Sequence, residues 1–165
     1  MHILLIRAAQ AGLALALLMQ AQASRGRVEE YKARFIAESS PVRKARIIEK
    51  LGDAQFDFVR QRLDAGDVDG ALRTLTDYHD ECLATHQALK GAVSDPERKP
   101  SGFKELELSV RENLSRLREI MTGLPKEEQD RFAPIRSDLD ELNRQLILEL
   151  FPRQPKSSAR SNGNS

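Results

Sequence analysis

The sequence has no tryptophan, a single cysteine, and only 5% aromatic residues. So few aromatics exclude a broad stacking platform for bases or sugar rings. One cysteine, Cys82, excludes an internal disulfide. An excess of one charge is also missing, since 26 basic residues face 25 acidic ones. Nucleic acids and anionic membranes select proteins with a basic footprint, so neither is an expected partner. No glycine-rich phosphate loop, nucleophile turn or haem-attachment CxxCH is present. Period-two alternation of apolar residues hardly occurs, which argues against a sheet. The reading is therefore of a non-enzymatic protein with no cofactor.

Apolar residues do crowd the start of the chain. Arg7 is the one Lys, Arg, Asp or Glu in residues 1–23, and Ala8 to Met19 reads AAQAGLALALLM. Ala21-Gln22-Ala23 follows as a small-x-small triplet before Ser24. A positive start, a short apolar middle and a small-residue site are the marks of a cleavable signal peptide over residues 1–23, cut between Ala23 and Ser24. The apolar run falls short of the roughly 20 residues that span a bilayer, and no second run follows. The expectation is export to a bacterial periplasm or beyond, without stable membrane insertion after cleavage. Removing Arg7 leaves a formally neutral chain.

From Ser24 onward, apolar residues recur at three-and-four spacing, the period of helices. A short first helix, Ser24 to Ser39, aligns Val28, Tyr31 and Phe35. Ser40-Pro41 starts the second, as a capping hydroxyl followed by a proline whose missing N–H is no loss at that position. It runs to about Ala65 with Ile48, Leu51, Phe58 and Val59 on one side, and Gly52 offers room for a close neighbour. Gly66 suits a left-handed helix end and Asp67 a new N-cap. The third helix, Val68 to about Lys90, carries the stripe Val68, Leu72, Leu75, Cys82 and Leu89, which places Cys82 in the core. After the polar loop Ser94–Gly102, the fourth helix spans Phe103 to Thr122. Glu107–Arg111 and Glu112–Arg116 stand four apart on its outer face, the spacing of helix-supporting pairs. Gly123 and Pro125 separate it from a fifth helix reaching Phe151, which Pro134 is expected to kink or split near Arg131. Residues 152–165 have almost no apolar side chain and read as a disordered tail.

The expected fold is all-α: one domain over residues 24–151, built from two long antiparallel helical hairpins and a short N-terminal helix. It can close as a four-helix bundle or stack as a short repeat-like array.

Three segments invite a functional reading. DAGDVDG, Asp64 to Gly70, fails as a calcium loop. With Gly70 at the sixth position, Ala65 and Thr76 stand where the first ligand and the closing glutamate belong. His79, Cys82 and His86 share one helical face and have metal-ligand chemistry. Two histidines seven residues apart are separated by about 10 Å of rise, so one ion needs a second helix to hold it. Metal handling through this trio is the alternative from a different functional class. LPKEEQDRF, Leu124 to Phe132, resembles the repeat of small exported helical chaperones with an LTxxQ motif. Pro125 stands in place of the threonine, and Gln129 lies one residue further along. That resemblance implies an envelope-stress chaperone.

GDVDGALRTL, Gly66 to Leu75, resembles the turn and second helix of a tetratricopeptide repeat, with Gly66 and Asp67 at the turn and Ala71 as the small packing residue. The resemblance covers one hairpin, Ile48 to Leu89, and does not extend to the second. It implies a helical scaffold that binds a protein or peptide, and it carries over no contact residues.

Overall fold

A computed structural model describes residues 22–152. Among these there are five helices and no strand. They are α1 (22–37), α2 (Pro41–Asp64), α3 (Val68–Ala92), α4 (Phe103–Thr122) and α5 (Lys126–Leu150). No helix among the described residues is long and apolar enough to cross a membrane. Most of the expected signal segment and most of the expected tail lie outside the described residues.

Local chemistry sets the helix ends. The Ser40 hydroxyl accepts from the Arg43 N–H, and Pro41 occupies the first turn of α2. Gly102, at φ +88°, precedes α4, and the Glu105 carboxylate reaches back 2.6 Å to its N–H. That glycine is also cramped, because a Cβ would lie 2.5 Å from a Leu89 methyl. Of the two outcomes expected at Pro134, a kink or a split, the split does not occur. α5 runs unbroken from Lys126 to Leu150 with the proline inside. Proline removes one N–H and displaces the carbonyl four residues back. Pro134 and Asp130 both lie on the exposed side of the helix, where solvent can compensate a freed carbonyl.

The ion pairs between helices record their directions. Arg46, Asp57 and Arg60 of α2 meet Glu105, Arg116 and Glu119 of α4. Both series ascend, so α2 and α4 run parallel. Asp69, His79 and His86 of α3 likewise meet Arg131, Asp138 and Glu149 of α5. The α2–α3 hairpin is therefore laid beside the α4–α5 hairpin in the same orientation. α2 packs on α3 and α4, α5 packs on α3 and α4, and α3 and α4 also touch across the diagonal. Arg116 does not pair with Glu112, as spacing suggested, but with Asp53 and Asp57 of α2. A charge facing a neighbouring helix has better partners than one on its own turn. The Arg111–Glu107 pair forms at 3.1 Å.

The core lies between the two hairpins. Ile48, Leu51 and Phe56 of α2, Leu75 and Tyr78 of α3, Phe103, Leu106 and Leu114 of α4, and Phe132 and Leu139 of α5 are fully buried. Each such side chain contributes about 1.5–3 kcal/mol through burial. Phe56 meets Tyr78 edge to face, with ring centroids 5.4 Å apart. The diagonal contact is polar. Tyr78 Oη lies 3.3 Å from the Ser109 carbonyl, to which it donates, and accepts from Asn113 Nδ2 at 3.1 Å. Gly52 makes this crossing possible: a Cβ there would stand 2.7 Å from Asn113 Nδ2 and 2.8 Å from Tyr78 Cε2.

α1 lies outside this four-helix core. Ser24 and Arg27 meet Gln61 and Asp57 of α2 in descending order, so α1 is antiparallel to α2. Lys32 reaches Asp77 and Glu81 of α3. Phe35 is buried, with Val28 and Tyr31 packed against the core.

Candidate functional site

The turn between α2 and α3 is built as its sequence indicates. Gly66 takes φ +75°, a conformation costly for residues with a Cβ. Its N–H donates to Leu63 O at 2.9 Å, and the Asp67 N–H donates to Arg62 O at 2.8 Å. These two bonds close the last turn of α2 in a Schellman arrangement. The Asp67 carboxylate then caps α3, accepting from the Gly70 N–H at 2.9 Å. That bond, with the Arg62 guanidinium beside it, holds the Asp67 carboxyl below its ordinary range. Arg62 pairs with Asp67 directly, in space left by the missing Cβ of Gly70. Ala71 is fully buried at the close approach of the two helices.

Beside this turn is a cleft of about 550 Å³. α1 and α3 form its walls and α2 its floor. Val28, Phe58 and Leu72 supply apolar surface, Thr74 and Thr76 hydroxyls, and Arg25, Lys32, Arg62 and Arg73 positive charge. A second hollow of about 300 Å³ shares Arg25, Phe58 and Arg62 and extends to Ala65 and Asp67 at the turn. The Arg62 guanidinium stacks 4.4 Å from the Phe58 ring centroid.

The electrostatics of the cleft centre on Gln55. This residue is only 1% exposed and lines the floor. Its Nε2 donates to Glu81 at 2.8 Å, while its Oε1 has no hydrogen-bond partner. The carboxylate fixes which end of the amide faces it. Burial pushes the Glu81 carboxyl above its ordinary range, although Gln55 and Lys32 oppose the shift. Lys32 bonds Asp77 at 2.6 Å, and this bond holds its amine above the usual lysine value.

The metal trio is not brought together. Cys82 is fully buried, and burial drives its thiol far above its ordinary range. His79 Nδ1 lies 2.9 Å from Asp80, and its Nε2 lies 3.7 Å from Asp138. His86 is 4% exposed, lies 2.7 Å from Glu149 through Nε2, and meets Phe103 edge to face. His86 thus bonds an acid on α5, whereas His79 bonds Asp80 on its own helix and its Nε2 has no hydrogen-bond partner. Among the described residues, no group of three His, Cys, Asp or Glu side chains is placed to hold a metal ion.

At the expected cleavage site, Ala21 lies outside the described residues. Ala23 is exposed on α1, and Ser24 is buried, its hydroxyl accepting from Gln61 Nε2 at 2.7 Å. In the Leu124–Phe132 segment, Gln129 Nε2 turns back to the Leu124 carbonyl at 2.8 Å, closing the α4–α5 connection.

Sequence reasoning pointed to the Gly66 hairpin but missed the cleft beside it. One signal was present. Gln55 falls on the apolar stripe of α2, with Ile48 and Gly52 before it and Val59 after it, where a polar residue needs a reason. Arg62 and Arg73 gave no such signal, being ordinary charges until α1 packs alongside. No family model, curated protein or solved structure matches this chain.

Proposed function

We propose that this chain is an exported, non-enzymatic module that binds a protein or peptide, and that its binding surface is the cleft between α1 and α3 beside the Gly66 turn. The observation that carries the reading is the arrangement of three helices, α1, α2 and α3, around a cleft of about 550 Å³ open to solvent. Neighbouring antiparallel helices leave a trough that a further helix or an extended segment can fill, one of the recurring modes of peptide recognition. Apolar Phe58 and Leu72 on the inside, with charges at the edge, have the composition of an interface core and rim. The resemblance of Gly66–Leu75 to a repeat used for protein binding agrees with this location. Export rests on the character of residues 1–23. Cleavage after Ala23 also removes Gln22, which lines the end of the cleft at the turn.

Two experiments test the reading. N-terminal sequencing of the chain from envelope and extracellular fractions is expected to begin at Ser24; an intact chain confined to the cytoplasm contradicts export. Affinity capture after crosslinking is then run with the native chain and with Thr76→Trp. Thr76 is exposed and lines the cleft, so the indole fills it without disturbing the core. A stoichiometric partner captured by the native chain is expected to be lost with the variant, while its circular dichroism stays unchanged. Equal capture by both refutes the cleft.

A further inference from the structure

The chain is close to neutral, yet the cleft is not. Four cations line it, Arg25, Lys32, Arg62 and Arg73, against two anions, Glu29 and Asp77. Arg25 is taken up by Glu29 at 2.8 Å and Lys32 by Asp77 at 2.6 Å. Arg62 is met by Asp67 at the turn, so the excess rests on Arg73. Arg73 enters no ion pair among the described residues. Arg62 spends one guanidinium nitrogen on Asp67, and its Nε is buried without a hydrogen-bond partner. Beside them on the floor, the orphaned Gln55 Oε1 is an acceptor in want of a donor. A buried donor and a buried acceptor left unpaired each cost about 1–3 kcal/mol, and such groups call for explanation.

We propose that the cleft takes an acidic peptide segment, with Asp or Glu carboxylates on Arg62 and Arg73 and its apolar side chains on Phe58 and Leu72. The inference rests on the binding-module reading above and adds the chemistry of the ligand. A guanidinium fork is suited to a carboxylate. The occupant is a partner's acidic segment rather than either stretch beyond the described residues. Residues 1–21 and 153–165, the parts of the chain beyond those described, contain no Asp or Glu; they carry Arg7, and Arg153, Lys156 and Arg160. Neither end complements a basic cleft.

The test is fluorescence anisotropy on the purified chain with three labelled peptides: a glutamate–leucine repeat, the same peptide with glutamine for glutamate, and the same with lysine. The glutamate peptide is expected to bind about tenfold or more tighter than the glutamine peptide, a difference of about 1.4 kcal/mol, and the lysine peptide not at all. Its affinity falls as salt rises, because rim charges are screened beyond about 10 Å at 0.1 M. Arg73→Glu removes the preference, and Thr76→Trp removes binding. Both positions are exposed, and circular dichroism checks that both variants fold. Equal binding of the glutamate and glutamine peptides, abolished by Thr76→Trp, overturns the charge assignment and leaves the cleft in place. Binding indifferent to both substitutions, or no binding of the glutamate peptide, overturns the inference; the capture experiment judges the broader reading separately. Light scattering that shows a dimer dissociated by Arg73→Glu assigns the acidic segment to a second copy.

Discussion

Replacing Gly52 with alanine isolates the contact on which the crossing of α2, α3 and α4 depends. Elsewhere in a helix the substitution gains about 1 kcal/mol of propensity. Here the new Cβ stands 2.7 Å from Asn113 Nδ2 and 2.8 Å from Tyr78 Cε2, where comfortable separations are about 3.5–4.0 Å. Asn113 and Tyr78 are both buried and joined by a hydrogen bond of 3.1 Å. Neither yields by about 1 Å without moving its own neighbours in a close-packed interior. Overpacking of this kind costs about 1–3 kcal/mol, and weakening the Asn113–Tyr78 bond adds about 1 kcal/mol. The sum exceeds the helical gain, so Gly52→Ala is expected to destabilise the protein by about 1–3 kcal/mol. Gly91 is the control. It is helical and exposed, and a Cβ there meets nothing within 4 Å, so Gly91→Ala is expected to stabilise by up to about 1 kcal/mol. Urea unfolding followed by circular dichroism reads both, with unchanged m-values certifying the comparison. A Gly52→Ala variant as stable as Gly91→Ala would refute the account of the crossing.

Tyr78→Phe keeps the ring packing but removes the hydroxyl shared by Asn113 and Ser109; a loss of about 1–2 kcal/mol in the same unfolding assay is expected. Cys82 is expected to resist alkylation in the native protein at pH 8 and to react promptly in urea, since burial disfavours its thiolate; rapid native labelling contradicts its placement. Glu38 accepts from Arg43 and from the Ser40 N–H, and these bonds lower its carboxyl from an ordinary 4.5 to about 2. A depressed acid stabilises the fold above its ordinary value, so this contribution is present at neutral pH and lost as pH falls from 4.5 towards about 2. Carboxyl titration by NMR is expected to place Glu38 in that low range, and Arg43→Ala to move it upward; a Glu38 titrating at its ordinary value in the native chain contradicts the contact.

Helix ends were legible wherever a residue has one dominant use. Ser40-Pro41, Gly66-Asp67 and Gly123 mark boundaries because capping, left-handed backbone and a missing N–H act within a few residues. The apolar face of α4 was legible for the same reason, since Phe103, Leu106, Val110, Leu114, Leu117 and Met121 recur at intervals of three or four and all lie buried. Direction and partnership were not. That α2 lies parallel to α4 follows from surfaces brought together across about sixty residues, as does the diversion of Arg116 from Glu112. That α5 continues through Pro134 was not legible, because the cost of an internal proline depends on whether the freed carbonyl reaches water, which a sequence pattern does not specify. On α3, Val68 and Leu72 looked like core but are half-buried, with Leu72 facing the cleft, while Tyr78 and His86 lie inside. The cleft itself became visible only when α1 was placed, because its walls come from two helices and its floor from a third.

On the proposed reading, the surface between α1 and α3 is where this protein meets its partner. Site-specific photo-crosslinking tests it most directly. Benzoylphenylalanine is placed at position 76, inside the cleft, or at position 112, exposed on α4, and the chain is irradiated in its native compartment. The account predicts a discrete adduct from position 76 and none from position 112. An adduct from 112 with none from 76 would contradict it.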